Sequence, residues 1–131
     1  MRHSGIPTGS ALVAGMAQIA RWIALALAVA IAAVTLGPIS FRPMTTAPAD
    51  IERAIAFALF GGAIALGHFR NRDLIIGVLL AVVFAALLEA GQNFVPGRHG
   101  QMHDFLIKAL AIILGAATVW ISRRMRDYSR S

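Results

Sequence analysis

The longest charge-free stretch of the chain decides what kind of fold it can adopt. Between Arg21 and Arg42, 20 residues carry no charged side chain. At about 1.5 Å per residue, a helix of that length spans the roughly 30 Å hydrocarbon core of a bilayer. The Gly37-Pro38 pair ends the run, because proline cannot continue the helical hydrogen-bond ladder. We predict a transmembrane helix over about 19–37.

Three further apolar segments follow, at about 51–69, 74–94 and 105–122. Each one alone is short enough to be a buried helix of a soluble protein. Four of them cannot bury one another in 131 residues, of which 58% are apolar and 14% charged, since a soluble domain carries about a quarter charged residues. We therefore predict an all-α integral membrane bundle of four transmembrane helices, forming a single domain over 1–131.

The first segment has an alternative interpretation as a cleaved signal peptide, with Ala28-Val29-Ala30 as the cleavage site. The apolar region of a signal peptide has about 7–15 residues. Because this run is longer and continues past Ala30, we favour an uncleaved anchor.

The formal charge of +6 comes from 12 Lys+Arg against 6 Asp+Glu. Eight of the twelve cations lie in the N-terminal segment, the turn near 70–72 and the C-terminal tail from 123 onward. By the positive-inside rule, both termini are predicted to be cytoplasmic. Since orientation explains the charge, nucleic acid is not an expected partner. The absence of cysteine excludes disulfides, thiolate metal sites and cysteine nucleophiles.

Polar residues gather on the opposite, outward side, which is where we expect function. They are Asp50, Glu52, Arg53, Glu89, Gln92, Arg98, His99, His103, Asp104 and Lys108. Asp104 stands where it would cap the fourth helix. Arg53 fits an interfacial anchor as well as a site residue.

Glu89 and Lys108 are predicted to form an ion pair inside the bundle. Each continues a row of small residues spaced for one helix face, and such rows mark close helix packing in membranes. The rows are Gly77, Ala81, Ala85 and Glu89 in the third segment, and Asp104, Lys108, Ala111 and Gly115 in the fourth. An unpaired charge there would cost a few kcal/mol. Snorkelling of each charge to the interface is the alternative.

His99 and His103 have the spacing of a zinc-binding pair on a helix, but Gly100 in a Pro/Gly-containing loop opposes a helix there. We expect solvated loop histidines, no metal and no cofactor. The cluster also lacks a serine or cysteine nucleophile. An enzyme would have to use Glu89, Asp104 or the histidines as acid and base.

The stretch LLEAGQNFVPGRHGQMHDFLIKALAIILG resembles the VanZ-like family of small membrane proteins. The residues that match the family pattern are Glu89, Gln92, Pro96, Gly97, Arg98 and Asp104, with a weaker match at Glu52, Arg53 and Phe57. The resemblance covers about residues 50–116. Lys108 and Ala111 depart from it, where many members carry Asn and Gly. It implies a four-helix protein of a bacterial plasma membrane, with a link to resistance against the glycopeptide teicoplanin.

Three functions remain open from the sequence. The favoured one is a non-catalytic envelope protein whose Arg98, Arg53 and Lys108 bind an anionic lipid, a lipid-linked precursor or a glycopeptide. The second is an ion- or proton-coupled transporter in which Glu89 titrates, which would require a homodimer. The third is a membrane-embedded transferase or hydrolase.

Overall fold

The computed structural model of the protein describes residues 5, 8–37, 48–95 and 101–131. Within these residues all regular structure is helical. The four helices are α1 (Gly9–Leu36), α2 (Ala49–Gly67), α3 (Asn71–Gln92) and α4 (Met102–Arg130). The predicted all-α fold with four helices is confirmed.

Two helices are much longer than predicted. α1 begins at Gly9, ten residues earlier than expected, because residues 9–18 contain no helix breaker except two glycines. α4 continues to Arg130, although the tail after residue 122 was expected to be a water-exposed extension of the chain. Arginine is a good helix former, and basic residues in a last turn interact favourably with the helix dipole. The predicted stop at Gly37-Pro38 is confirmed, since α1 ends at Leu36 with Gly37 as its C-cap.

Large and small apolar residues are distributed in the reverse of the usual soluble pattern. On α3, Ala81 and Ala85 are buried, whereas Leu79, Leu80 and Leu87 are each at least 60% exposed. In water that arrangement would leave a large apolar surface uncovered. In a bilayer, small residues let helices approach while leucines face lipid. Of the small residues in the two predicted rows, Ala81, Ala85 and Ala111 are buried, and Gly77 and Gly115 are partly buried.

α1, α3 and α4 are long and apolar enough to cross a membrane. α2 does not meet the same criterion, because its 19 residues include Asp50, Glu52 and Arg53 near its beginning. Among the described residues, the structure therefore identifies three candidate spans where the sequence predicted four.

The helices alternate in direction, so α2 and α4 run parallel. Arg53 contacts Asp104, Lys108 lies over the ring of Phe57, and positions 61 and 112 meet further along. α2 and α4 share the most extensive interface of the bundle, whereas α1 packs mainly on α2, and α3 on α4.

Two glycines allow the parallel helices to touch backbone to backbone. A Cβ atom at Gly61 would overlap the backbone of Ile112, and a Cβ atom at Gly115 would overlap the backbone of Ala58. The two contacts are reciprocal, as expected for small residues at a close crossing of membrane helices. This crossing fixes the register of α2 against α4 and therefore aligns their first turns.

Candidate functional site

The ends of α2 and α4 define two regions of different chemistry. We call the end where both helices begin the carboxylate end, after Asp50, Glu52, Glu89 and Asp104. The opposite end, where α2 finishes and α3 begins, is the arginine end, after Arg21, Arg70, Arg72, Arg123 and Arg124. The site residues predicted from the sequence that lie in the described part of the chain are all at the carboxylate end.

Glu89 and Lys108 form a buried ion pair between α3 and α4. Lys108 Nζ donates to Glu89 Oε2, and both residues are buried, Lys108 almost completely. The ammonium group also lies 5.8 Å from the centroid of the Phe57 ring on α2, a cation–π distance. The predicted pair is confirmed. Lys108 does not snorkel, because its stem and its charge both point into the bundle.

The second oxygen of Glu89 fixes the start of α4. The backbone N–H of Gln101, the N-cap residue of α4, donates to Glu89 Oε1 over 2.6 Å. One carboxylate therefore accepts from the Lys108 ammonium and from a backbone donor. This second bond holds the first turn of α4 against the end of α3.

A cleft between α3 and α4 opens onto Glu89, the acidic member of this pair. Its volume is about 270 Å³, and Glu89 lines it together with Asn93, Gln101, Met102, Phe105 and two alanines of α3. Amide and carboxylate groups therefore face a space that can hold a polar group next to a buried charge. Concave sites with a few convergent polar groups are the usual form of small-molecule sites.

Arg53 joins α2 to α4 through a second ion pair. Its Nη1 atom lies 2.9 Å from Asp104 Oδ2 and 3.4 Å from Asp50 Oδ1. The side chains of Arg53 and Asp104 are 29% and 13% exposed, so this pair is more accessible than the Glu89–Lys108 pair. Arg53 is therefore a cross-helix partner of Asp104, a contact that was not predicted from the sequence.

The predicted N-cap role of Asp104 is wrong. α4 begins at Met102 with Gln101 as its N-cap, so Asp104 lies within the first turn. A carboxylate there still interacts favourably with the helix dipole. Its hydrogen-bonding capacity is directed to Arg53 across the interface instead of to its own backbone.

Glu52 and Gln92 complete the described part of the site. Gln92 is buried at the end of α3. Glu52 is partly buried, and its Oε1 atom is buried without a hydrogen-bond partner among the described residues. Arg98, Pro96, Gly97 and His99 lie outside the described residues, so their predicted roles remain predictions.

His103 is exposed on the first turn of α4, and not in a loop as predicted. Among the described residues, no three histidines or carboxylates are grouped so as to hold a metal ion.

Sequence reasoning missed the Arg53–Asp104 pair, although one signal for it was present. Both residues follow closely on the start of an apolar segment that was predicted to run inward from the same side. Two such helices are parallel, so their charged first turns lie at one level. What the sequence did not reveal is that α2 and α4 are direct neighbours, which depends on Gly61 and Gly115.

No family model matches the chain, and no curated protein and no solved structure matches it.

Proposed function

We propose that the protein is a multi-pass membrane protein of a bacterial plasma membrane, with four spanning helices and both termini in the cytoplasm. α1, α3 and α4 supply three apolar helices. α2 carries its three charges only at its beginning, and Arg53 is paired there with Asp104. One face of the rest of α2 packs along α4, and its large exposed side chains, Ile55, Leu59 and Leu66, are apolar and suited to contact with lipid. The excess of arginine at the opposite end supports the orientation.

Cysteine labelling tests this topology directly, because the chain has no cysteine of its own. His103→Cys and Ser129→Cys place one thiol on each end of α4, and both positions are exposed. A membrane-impermeant maleimide added to intact cells or spheroplasts should label His103→Cys only. Labelling of Ser129→Cys instead would reverse the orientation, and labelling of both sites without permeabilisation would contradict the membrane span.

We further propose that the carboxylate end is a non-catalytic binding site for the head group of an anionic envelope lipid or lipid-linked precursor. The observation that carries this proposal is the cleft that is lined by Glu89, whose carboxylate is paired with the buried Lys108. A buried pair costs desolvation and is weak evidence for a stabilising role. Because Glu89 of this pair lines a cleft together with Asn93 and Gln101, the pair is better explained by a role in ligand binding.

The balance of charge narrows the chemistry of the head group. The described side chains of the site include four carboxylates, Asp50, Glu52, Glu89 and Asp104, but only two cations, Arg53 and Lys108. Lys108 is buried against Glu89 and is not accessible to a ligand. A phosphate or carboxylate of the ligand would therefore bind Arg98 and the partly exposed Arg53, whose planar guanidinium donates two parallel hydrogen bonds. The carboxylates would accept hydrogen bonds from hydroxyl or amino groups of the same ligand. A head group that carries both kinds of group fits best.

The resemblance to the VanZ-like family supplies a physiological readout for this proposal. It suggests that the protein contributes to resistance against teicoplanin-type glycopeptides. Growth in the presence of the drug can therefore be measured alongside ligand binding.

The direct test is mass spectrometry of lipids that co-purify with the protein. Arg53→Gln/Arg98→Gln should lose at least one phospholipid or glycolipid species that the wild type retains. The matched control, Arg126→Gln/Arg130→Gln, removes the same charge at two exposed positions of the other end and should retain it. Identical lipid profiles for all three proteins, at equal protein recovery, would overturn the binding proposal.

The cleft also favours a second candidate, a proton-coupled transporter subunit in which Glu89 is the coupling residue. Glu89 is largely buried, and it lines the cleft that a transported group would enter. Four helices are few for a transport pathway, so this function would require a homodimer. In reconstituted vesicles, Glu89→Gln should abolish pH-dependent uptake. Uptake that ignores pH and membrane potential in the wild type would rule this candidate out.

A further inference from the structure

Two grooves at the arginine end are continuous with each other. The first, of about 370 Å³, runs between α3 and α4 and is walled by apolar side chains such as Ile75, Val78 and Ile113. The second, of about 530 Å³, lies beyond the end of the first. Asn71, Leu74 and Trp120 line both. Together they form one composite groove with an apolar arm and a polar arm.

The polar arm is formed by one face of the α4 extension. Trp120, Arg123, Arg124, Asp127 and Tyr128 all line it, and their spacing of three and four residues places them on a single helical face. This part of α4 was not expected to be helical. The helix continues past residue 122 and carries these side chains to the mouth of the apolar arm.

Arg126 and Arg130 lie on the other face of the same extension and line neither groove. Substituting them changes the net charge by the same amount as substituting Arg123 and Arg124, so they serve as a control.

The electrostatic surroundings of the composite groove are positive. Residues 68–73 and 120–131 contain six arginines and two aspartates, which gives a formal charge of +4 for these two segments. A single phosphate near them is favoured by the sum of these charges. Asp127 lines the polar arm as well and opposes a second negative group there.

The two arginines of the polar arm are held in place by the protein and keep donors available. Arg123 Nη1 donates to the carbonyl oxygen of His68 over 3.1 Å, and its guanidinium lies 4.7 Å from the centroid of the Phe69 ring. The Arg124 guanidinium lies 5.2 Å from the Trp120 ring. A guanidinium has five N–H donors, so ring stacking and one carbonyl contact do not exhaust them.

We propose that the composite groove binds an anionic phospholipid from the leaflet at the arginine end. One acyl chain would lie in the apolar arm between α3 and α4, and the phosphate would bind Arg123 and Arg124. Basic pockets between membrane helices are suited to such head groups, and an apolar arm continuous with the basic one selects a lipid over a free anion. The proposal is independent of the ligand at the carboxylate end, which lies at the other end of the bundle.

Tryptophan fluorescence can report occupancy of this groove. The chain has two tryptophans, Trp22 and Trp120, and Trp22 is 62% exposed on α1. Trp22→Phe therefore leaves Trp120, which lines both arms, as the only indole. In nanodiscs of unlabelled phosphatidylcholine, a lipid with brominated acyl chains should quench Trp120 when it enters the groove. Brominated phosphatidylglycerol should quench at lower mole fraction than brominated phosphatidylcholine.

Arginine substitutions test the head-group contact. In the Trp22→Phe background, Arg123→Gln/Arg124→Gln should remove the preference for phosphatidylglycerol, with about a fivefold loss per arginine, which corresponds to about 1 kcal/mol each. Arg126→Gln/Arg130→Gln, with the same change in net charge, should retain most of it. Equal losses in both variants, or no preference in the parent, would overturn the proposal.

A third variant tests the apolar arm, and its circular dichroism shows whether it is folded. Ala117→Leu narrows the apolar arm and should weaken quenching by both brominated lipids while the helical circular dichroism stays unchanged. Soluble glycerol phosphate should not compete with the lipid. Full competition by glycerol phosphate would mean that the site binds a phosphate alone and not a phospholipid. Undiminished quenching in Ala117→Leu would mean that no acyl chain lies in the apolar arm, and either result would overturn the proposal.

Discussion

The two ends of the bundle handle their charges by different means. At the carboxylate end, Lys108 pairs with Glu89 and Arg53 with Asp104, so cations meet anions across helix interfaces. At the arginine end, the described residues form no ion pair within 4.0 Å. Arg21 donates to the carbonyl oxygen of Gly67 over 2.7 Å, and Arg123 donates to that of His68.

The difference follows from where each charge lies. A lysine that is buried inside a membrane bundle needs an anionic partner, because an unpaired charge there costs several kcal/mol. The arginines lie near the C-terminus of α2, where the last carbonyl groups lack intrahelical partners and carry the negative end of the helix dipole. Carbonyl oxygens and aromatic rings are sufficient there. The carboxylate end is therefore built around buried charge, and the arginine end around capping and exposed charge.

The largest expected effect comes from breaking the buried pair. Glu89→Gln leaves the Lys108 ammonium without an anion and should lower the free energy of unfolding by about 3–5 kcal/mol. Glu89→Gln/Lys108→Met should cost much less than the sum of the two single substitutions, because no charge is then left alone. The free energy is measured by unfolding in mixed detergent–SDS micelles.

Glu52→Gln is the matched control for that substitution at the same end. In the described part of the chain, the buried Glu52 oxygen has no hydrogen-bond partner, so removing the charge of Glu52 should change stability by less than about 1 kcal/mol. Equal destabilisation by Glu52→Gln and Glu89→Gln would show that the ion pair has no special importance.

The register of α2 against α4 depends on the close crossing of these two helices. Gly61→Ala introduces a Cβ atom into the backbone of Ile112, which cannot move aside as a side chain can. We expect a loss of about 1–3 kcal/mol. Gly62→Ala is the control, since its Cβ atom would meet only ordinary contacts at 3.7 Å, and alanine is the better helix former. A smaller loss for Gly61→Ala than for Gly62→Ala would contradict the close crossing.

The more accessible pair should contribute less than the buried one. Asp104→Asn weakens the 2.9 Å contact with Arg53 and should cost about 1 kcal/mol, at the upper limit for exposed pairs. Asp50→Asn should cost less, because Asp50 is 57% exposed and lies 3.4 Å from the same nitrogen. Added salt should reduce the loss of stability caused by Asp104→Asn. It should leave the coupling free energy between Glu89 and Lys108 nearly unchanged. Strong salt sensitivity of that coupling would mean that water reaches the buried pair.

The smallest effect is expected at the arginine end. Arg123→Gln removes a carbonyl contact and a ring contact and should lower stability by about 0.5–1 kcal/mol. Arg126→Gln should have almost no effect on the thermal midpoint measured in detergent. A cost for Arg123→Gln as large as that for Glu89→Gln would remove the contrast between the two ends.

Much of the fold follows from local sequence patterns. The apolar segments predicted four helices in the observed order, and Gly37-Pro38 marked the end of α1. The row that ends at Glu89 and the row that contains Lys108 predicted both their burial and their pairing, because helical periodicity fixes which face each charge occupies. The extensions of α1 and α4 were not predicted, because the helix boundaries were placed near charged residues. Arginine is itself a good helix former, so a helix can continue through it.

The sequence by itself determined the class of fold, the helix order and the buried Glu89–Lys108 pair, because hydrophobicity and helical periodicity are local properties of the chain. The tertiary structure decided which helices are neighbours. The crossing at Gly61 and Gly115 sets α2 directly against α4, and it thereby pairs Arg53 with Asp104. Packing between segments about 50 residues apart depends on how their surfaces fit, and no local pattern specifies that fit.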